Sequence, residues 1–265
     1  MNRFLKGIIV GIGGIAPGLS GSIMLVIFGL YEKTIEAIGT LFKNFKKNVI
    51  FLVPLFAGFG IGILAFSKIV DYLLGSYELY TRFLFLGLVI GTIPLFYQEV
   101  KKHGYKNSYY IIVGCAFIFG VLLFSFNKGL FPTVTNPNLF QSIILGFAVA
   151  GSTIIPGVDS ATILSALGLY EIFVSSVAKL DFSVLIPAGV GLAIGGLTIS
   201  YIINYLIKKH YTITFSVIFG LFLSIVPSVL SEGSIIGVNT ESGIAIIFCV
   251  VGIAFSYFFG KLKKD

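Results

Sequence analysis

Long apolar runs separated by short polar stretches dominate the chain. Six of these runs approach the ~20 residues that an α-helix needs to cross the ~30 Å hydrocarbon core of a bilayer. They cover residues 49–68, 82–98, 109–127, 184–206, 213–230 and 243–260. The alternation with period two that is typical of a transmembrane β-barrel is absent. The pattern therefore predicts an all-α polytopic membrane protein.

Two further apolar segments, residues 7–38 and 142–177, share a sequence that is interrupted by Pro-Gly. The first carries IAPGLSGSIMLVIFGLYE, and the second carries IIPGVDSATILSALGLYE 139 positions later. Ten of the 26 aligned positions of Gly7–Glu32 and Gly146–Glu171 are identical. In transporters, apolar segments interrupted at corresponding places in two halves indicate the binding site. We expect the function to lie in these two motif segments.

Composition supports the membrane assignment. Hydrophobic residues make up 57% of the chain, charged residues make up 11%, and the mean hydropathy is +1.03. The N-terminal run is too long for a signal peptide and is interrupted at Pro17, so we expect it to be retained. Cys115 and Cys249 lie inside apolar runs, which favours buried thiols over a disulfide or a metal site. The net charge of +7 is no sign of nucleic-acid binding in such a chain, where the placement of the charges matters more.

Charge placement distinguishes two topologies for the motif segments. A re-entrant hairpin, with two arms of about ten residues, enters the membrane by about half its thickness and returns to the same side. With two hairpins and a cytoplasmic N-terminus, 14 of the 18 lysines and arginines lie on the cytoplasmic side. If both segments crossed the membrane, the division would be 10 against 8. Because lysine and arginine accumulate in cytoplasmic loops, the hairpin model is favoured, with both termini in the cytoplasm.

The hairpin model gives each half three crossings, which inverts the second half relative to the first. We predict one membrane domain of two inverted repeats, residues 1–130 and 131–265, each with one re-entrant hairpin and three transmembrane helices. Further matches occur at a second offset of 133 positions, at Pro54/Pro187, Gly58/Gly191, Thr81/Thr214, Gly87/Gly220 and Pro94/Pro227. The change of offset predicts a six-residue deletion in a loop between Glu171 and Pro187.

The tips of the two hairpins, residues 17–22 and 156–162, are predicted to meet near the midplane of the membrane. Irregular backbone at this depth must be buried in protein or line a wet cavity. A new helix begins at each tip, capped by Ser20 or Ser22 in the first and by Asp159, Ser160 or Thr162 in the second. Exposed N–H groups at a helix start favour a phosphate group. The predicted phosphate-binding residues of the tips are Gly18, Ser20, Gly21, Ser22, Gly157, Ser160 and Thr162.

Four charged residues are further candidates. Asp159 replaces Ser20 in the second motif, and it is either a cap turned away from the phosphate or a residue that binds a coupling ion. Glu32 and Glu171 are either interfacial residues or sites of proton or ion coupling. Arg82 opens a span on the outer side, where it either binds an anionic headgroup or anchors the helix at the interface. Its charged neighbours in the sequence are Lys68, Asp71 and Glu78.

The two motifs resemble the polyprenyl-phosphate transporter family of bacteria and archaea. The resemblance covers nearly the whole chain and rests on PGLSGS and GLYE within residues 17–32 and on PGVDSAT and GLYE within residues 156–171. It implies a flippase that returns undecaprenyl phosphate, the lipid carrier of cell-wall precursors, from the outer to the inner leaflet of the cytoplasmic membrane. The second motif departs from the PG-x-SG pattern, with Asp159 and Ser160 in place of Ser-Gly.

Two other functions could use a similar tip. A channel or secondary transporter for a soluble anion would need a polar lining along several spans, but these spans are rich in Ile, Leu, Phe and Gly. An intramembrane lipid-phosphate enzyme would need a nucleophile with a base or metal ligands, and the two histidines, His103 and His210, lie in lysine-flanked loops. We therefore expect a lipid transporter without a cofactor, coupled to protons or sodium, whose partners are undecaprenyl phosphate and the bilayer.

Overall fold

The computed structural model describes residues 2–15, 21–125, 132–156, 158, 160–179, 181–227 and 240–261. All regular structure in these ranges is helical. The helices of the first half are α1 (Arg3–Ile15), α2 (Gly21–Ile27), α3 (Tyr31–Gly39), α4 (Phe45–Ser76), α5 (Glu78–Val100) and α6 (Tyr109–Ser125). Those of the second half are α7 (Leu139–Ile154), α8 (Ser160–Ala166), α9 (Tyr170–Lys179), α10 (Phe182–Leu223) and α11 (Thr240–Lys261).

Three stretches of the described chain are long and apolar enough to cross a membrane, namely Phe45–Phe66, Glu78–Val100 and Phe182–Pro227. The third contains the predicted span 184–206 and the described part of the predicted span 213–230, because α10 continues through residue 210. His210 nevertheless has a non-helical backbone, with φ −137° and ψ 54°, so α10 bends there into two parts. Shorter apolar helices over Tyr109–Leu123 and Gly243–Tyr257 correspond to two other predicted spans.

The motif segments fold into pairs of short helices with unequal arms. The sequence predicts two arms of about ten residues. Helices α1 and α7 have 13 and 16 residues, and α2 and α8 have seven each within the described residues, which begin directly at Gly21 and Ser160. A tight turn stops each short arm. Leu30 N–H donates to the Leu25 carbonyl and Gly29 N–H to the Val26 carbonyl, which is the pattern of a Schellman motif.

The second motif ends its short arm in the same way. Leu169 N–H donates to the Leu164 carbonyl, and Gly168 N–H donates to the Ser165 carbonyl. Gly29 and Gly168 have φ of 63° and 68°, a conformation that glycine adopts without steric cost. The Gly-Leu-Tyr-Glu sequence of both motifs is therefore a helix stop followed by a new helix, with the glutamate in the first turn of that helix.

Helices α1 and α4 meet backbone to backbone along a seam of glycines. A Cβ atom at Gly7 would collide with the carbonyl oxygen of Leu55, and one at Gly58 would collide with that of Phe4. Further contacts of this kind join Gly11 to Phe59 and Gly62 to Ile8. Each helix thus contributes a G-x-x-x-G pair, the spacing that lets membrane helices approach closely. The contacts advance in the same direction along both helices, so α1 and α4 are parallel.

The second half repeats this seam between α7 and the first part of α10. A Cβ atom at Gly146 would collide with the carbonyl oxygen of Ala188, and one at Gly191 would collide with that of Ile143. These four residues correspond to Gly7, Leu55, Gly58 and Phe4 at the two offsets found in the sequence. Gly195 meets Phe147, four residues further along both helices than the contact of Gly191 with Ile143, so this pair of helices is also parallel. The deletion was predicted in the loop that connects α9 and α10. This connection is indeed shorter than the one between α3 and α4.

The remaining helices pack across the two halves. Gly87 of α5 meets the backbone of Cys249 in α11, and Gly252 of α11 meets that of Leu84. In the corresponding contact, Gly220 in the second part of α10 meets the backbone of Val113 in α6. Each half therefore packs its last helix against the other half, which joins both into one body. The main core lies between α2, α3, α5 and α10, where Ile23, Tyr31, Val89, Phe96 and Phe222 are almost completely buried.

We expect Gly58→Leu to destabilise the protein by about 1–3 kcal/mol, because the added side chain must force α1 and α4 apart. The matched control is Gly60→Leu in the same helix, since a Cβ atom at Gly60 meets nothing within 4 Å. Melting temperatures in detergent should fall for the first variant only. Equal melting temperatures of the two variants would show that the glycine seam does not limit the packing of these helices.

Candidate substrate site at the motif segments

Four of the predicted site residues, Gly18, Ser20, Gly157 and Asp159, lie outside the described residues. Thr162 lies in the first turn of α8, but its side chain is also outside them. The remaining predicted residues can be placed. They are Gly21, Ser22, Ser160, Arg82, Glu32 and Glu171.

Gly21 and Ser22 form the first turn of α2. Of the two predicted caps of this helix, Ser22 lies inside α2, which begins at Gly21, and Ser20 lies outside the described residues. A Cβ atom at Gly21 would lie 3.1 Å from the Phe59 ring and 3.4 Å from the Val10 carbonyl oxygen. The start of the short arm is thus held against α1 and α4, and the Ser22 side chain is buried there.

Ser160 begins α8 and contacts the long arm of its own motif segment. Its Oγ lies 2.6 Å from Oγ of Ser152, which is 2% exposed. Ser152 in turn donates to the Val149 carbonyl at 3.0 Å. Either hydroxyl can be the donor in the contact between Ser160 and Ser152. When Ser152 donates to the Val149 carbonyl, Ser160 donates to Ser152 and must leave this bond to donate to a phosphate.

The two motif segments meet at a hydrogen bond. The Tyr31 hydroxyl of the first motif donates to the carbonyl of Ile154, at the end of α7, over 3.2 Å. The Tyr31 ring is 1% exposed and makes an edge contact with Phe215 at 6.1 Å. Ile154 lies two residues before Pro156 of the second motif. A residue of the first Gly-Leu-Tyr-Glu sequence thus supports the backbone beside the second Pro-Gly.

Arg82 lies at the start of α5 and forms an ion pair with Glu78. One terminal nitrogen of its guanidinium is 2.8 Å from Oε1 of Glu78, and its Nε donates to the same oxygen at 3.0 Å. Of the three charged neighbours named from the sequence, Glu78 is thus a partner, and the side chains of the other two lie outside the described residues. The Arg82 side chain is 24% exposed, so it is accessible at this end of α5.

Glu32 belongs to a network of charged and polar groups at the opposite end of α5. The Lys102 ammonium lies 3.1 Å from Oε1 of Glu32 and 2.8 Å from Oε1 of Glu99. The Tyr211 hydroxyl lies 3.2 Å and 3.0 Å from the same two oxygens. Partial burial lowers the pKa of Lys102, but its hydrogen bonds to Glu99 and Glu32 outweigh this effect and raise the pKa above its usual value. The ammonium therefore stays charged at neutral pH.

This network joins the first motif to the bend in α10. Tyr211 directly follows the bend at His210, and Lys208 forms an ion pair with Glu36 in α3. The start of α1 lies at the same end, since the Lys6 ammonium is 5.8 Å from the centre of the Phe28 ring. We call this the lysine-rich end of the molecule. Lys6 lies near the start of α1 and Phe28 directly follows α2, so the start of α1 and the end of α2 lie at the same end of the molecule.

The two matched glutamates occupy different environments. Glu32 has partners from the loop after α5 and from α10, whereas Glu171 is exposed in the first turn of α9. The matched tyrosines differ similarly, because Tyr170 is 41% exposed. The sequence analysis did not identify Ser152, Glu99, Lys102 or Tyr211 as site residues. Only the recurrence of Tyr31 at Tyr170 gave a signal, since the contacts of Glu32 with Lys102 and Tyr211 join residues far apart in the chain.

Comparisons with known proteins agree with the family resemblance of the two motifs. A family model described as undecaprenyl phosphate translocase-like matches residues 39–246. The chain is similar to a polyprenyl-phosphate transporter of Vibrio cholerae, with 24% identity over 86% of this chain and 77% of that protein. It is also similar to a polyprenyl-phosphate transporter of Staphylococcus aureus, with 26% identity over 82% of each chain. No solved structure matches it significantly.

Tyr31→Phe should lower the free energy of unfolding by about 1 kcal/mol, because the Ile154 carbonyl loses its donor while the ring packing remains. For a chain of this size, that corresponds to a fall of about 2–4 °C in melting temperature. Tyr170→Phe is the matched control, because it removes the hydroxyl of an exposed ring at the equivalent position. Equal shifts in the two variants would contradict a specific role of the Tyr31 contact.

Proposed function

The chain belongs to the undecaprenyl phosphate translocase-like family, and on this basis we propose that it carries a polyprenyl phosphate between the leaflets of a membrane. It is a transporter and not an enzyme. The substrate that we favour is undecaprenyl phosphate, moved from the outer to the inner leaflet of the bacterial cytoplasmic membrane. Its return to the inner leaflet would make the carrier available again for cell-wall synthesis.

The meeting of the two motif segments is the observation that carries the mechanism. A phosphate group needs polar partners on its route, and the contact from Tyr31 to Ile154 brings the first motif beside the second Pro-Gly. The prenyl tail needs apolar surface that faces lipid. Such surface covers the outside of α4, α10 and α11, for example at Leu64, Ile186 and Ile247. Headgroup and tail can therefore follow separate but adjacent paths.

Helix directions support re-entrant hairpins. Helix α1 runs parallel to α4 along the glycine seam, and both begin at the lysine-rich end. A first motif segment that crossed the membrane once would make these two helices antiparallel. The same argument applies to α7 and the first part of α10. We propose that each motif segment enters the membrane and returns to the side from which it came.

The same directions support an inverted arrangement of the halves, residues 1–130 and 131–265. Helix α4 leaves the lysine-rich end, whereas the first part of α10 arrives there, at the bend that bears Lys208 and Tyr211. Helix α7 is parallel to this part of α10, so it enters from the opposite side. Because positive charge accumulates on the cytoplasmic side, we place the lysine-rich end and both termini in the cytoplasm.

We propose that the tips bind the lipid phosphate near the midplane. Gly18, Ser20, Gly21 and Ser22 would contribute from the first tip, and Gly157, Ser160 and Thr162 would contribute from the second. The bond between Ser160 and Ser152 would open when phosphate arrives. Arg82, at the end of α5 away from the lysine-rich end, would first attract the headgroup from the outer leaflet.

Transport would proceed by alternating access, with one repeat tilting against the other. The contacts of Glu32 and Glu36 with Lys102, Tyr211 and Lys208 join α3 to the loop after α5 and to α10 at the lysine-rich end. Protonation or cation binding at a carboxylate would weaken such contacts or replace them. Asp159, Glu32 and Glu171 therefore remain our candidates for coupling to protons or sodium.

Arg82→Gln should slow the transfer of a fluorescent polyprenyl phosphate in liposomes by about tenfold or more, since hydrogen bonds to charged groups contribute about 1.5–3 kcal/mol. The rate is read from the loss of outer-leaflet fluorescence to a membrane-impermeant quencher. Glu78→Gln is the matched control, because it removes the same ion pair while keeping the guanidinium. Ser20→Ala and Ser160→Ala should also slow transfer, whereas Ser175→Ala in α9 should not.

Two outcomes would contradict this proposal. Equal loss of transport in Arg82→Gln and Glu78→Gln would reduce Arg82 to a structural partner of Glu78. Uptake of inorganic phosphate without transfer of the lipid would assign the protein to transport of a soluble anion.

Single cysteines at Asn44 and Asn136, in a chain lacking Cys115 and Cys249, should react with impermeant maleimide from opposite sides of the membrane. Asn44 directly precedes α4, and Asn136 lies shortly before α7. The neighbouring Asn138 is unsuitable, because its side chain accepts from Gln141 N–H in a capping box that begins α7. Labelling of both cysteines from one side would exclude the proposed topology.

A further inference from the structure

A second cluster of cations surrounds an open cavity at the lysine-rich end. The cavity has a volume of about 520 Å³ and is lined by Arg3, Lys46, Lys47, Ile50 and Phe51. It lies between the first turns of α1 and α4, which the glycine seam holds side by side. The position is distinct from the motif tips and from Arg82, which lies at the other end of the membrane-crossing helices.

The Arg3 side chain is fixed over the apolar wall of this cavity. Its guanidinium carbon lies 5.3 Å from the centre of the Phe51 ring, a cation–π contact. One terminal nitrogen donates to the Ile50 carbonyl over 3.4 Å. A guanidinium has five N–H donors, so most of its donors remain free for a ligand.

In contrast to the nearby network of Glu32, this cluster of cations includes no carboxylate from the described part of the chain. Lys102 and Lys208 each have carboxylate partners. Arg3, Lys46 and Lys47 have none among the described residues, and all three are exposed. Three cations held around one cavity attract an anion, and Ile50 and Phe51 make part of its surface apolar. Such a mixture suits a ligand with a charged head on an apolar chain.

Helix α4 provides a surface for that chain. Val53 is 58% exposed and Leu64 is 74% exposed, so the outer face of α4 continues the apolar wall away from the cavity. Basic pockets between helices on the cytoplasmic side of membranes bind anionic lipid headgroups. We propose that this cavity is an accessory site that binds the phosphate headgroup of an anionic membrane lipid. The site does not depend on the proposed function, since phosphatidylglycerol and polyprenyl phosphate share the required charged phosphate.

The absence of tryptophan from the sequence allows a local test. Phe51→Trp keeps an aromatic ring under Arg3 and introduces a single fluorophore at the cavity. The variant is reconstituted in phosphatidylcholine vesicles, and lipids brominated near the carbonyl end of the acyl chain are titrated as quenchers. We expect brominated phosphatidylglycerol to bind more tightly than brominated phosphatidylcholine. Each cation should contribute about fivefold to this preference.

Replacement of Arg3, Lys46 and Lys47 by glutamine in the Phe51→Trp protein should abolish the preference for phosphatidylglycerol. The matched control replaces Lys33, Lys106 and Lys209, which removes the same charge from exposed positions outside the cavity. If the triple variant does not fold, the double change of Lys46 and Lys47 should still weaken the preference. Displacement by unlabelled polyprenyl phosphate would identify a phosphomonoester lipid as the ligand, and resistance to it would identify a phospholipid.

Three results would overturn the accessory site. They are equal quenching by phosphatidylglycerol and phosphatidylcholine, loss of the preference in the control variant, and relief of quenching by millimolar inorganic phosphate. The last result would show a site for a soluble anion. Transfer of polyprenyl phosphate is measured separately in the same vesicles, so failure of the accessory site can be distinguished from failure of the proposed function.

Discussion

Helix pairs in this protein meet backbone to backbone, at glycines where no side chain separates them. In a bilayer, apolar side chains gain little by packing against each other, because lipid tails are equally apolar. Close van der Waals contact between backbones is therefore a principal source of helix association. The seams between α1 and α4 and between α7 and α10 keep each motif segment against one long helix. The positions of the motif turns depend on these contacts.

The two motif segments share their local structure but differ in their surroundings. Both end the short arm with a glycine at positive φ, and both place a glutamate in the next first turn. Tyr31 is nevertheless buried and bonded to Ile154, whereas Tyr170 is exposed. A transporter that alternates between two states must break its symmetry in each of them. Glu32 and Glu36 of the first half form ion pairs at the lysine-rich end, whereas Glu171, which matches Glu32 in the second half, is exposed.

Cations at the lysine-rich end have two different electrostatic environments. Lys102 is neutralised by the nearby Glu99 and by Glu32 from a distant part of the chain, and Lys208 is neutralised by the distant Glu36. Arg3, Lys46 and Lys47 surround a cavity without such partners among the described residues. The ion-paired lysines fix the arrangement of helices, whereas we propose that Arg3, Lys46 and Lys47 attract an anionic lipid. The count of positive residues alone indicates the side of the membrane but does not distinguish these roles.

The sequence by itself determined the helical class, the membrane location, the family and the position of the duplicated motifs, because hydropathy and Pro-Gly spacing are local properties. It also located the glycines of both seams, through their recurrence at two offsets. Only the tertiary structure decided which helices these glycines join, that Ser160 bonds to Ser152, and that Glu32 shares Lys102 and Tyr211 with Glu99. Such contacts join residues whose separation in the chain carries no periodic signal. They depend on the directions in which whole helices pack, which no local pattern specifies.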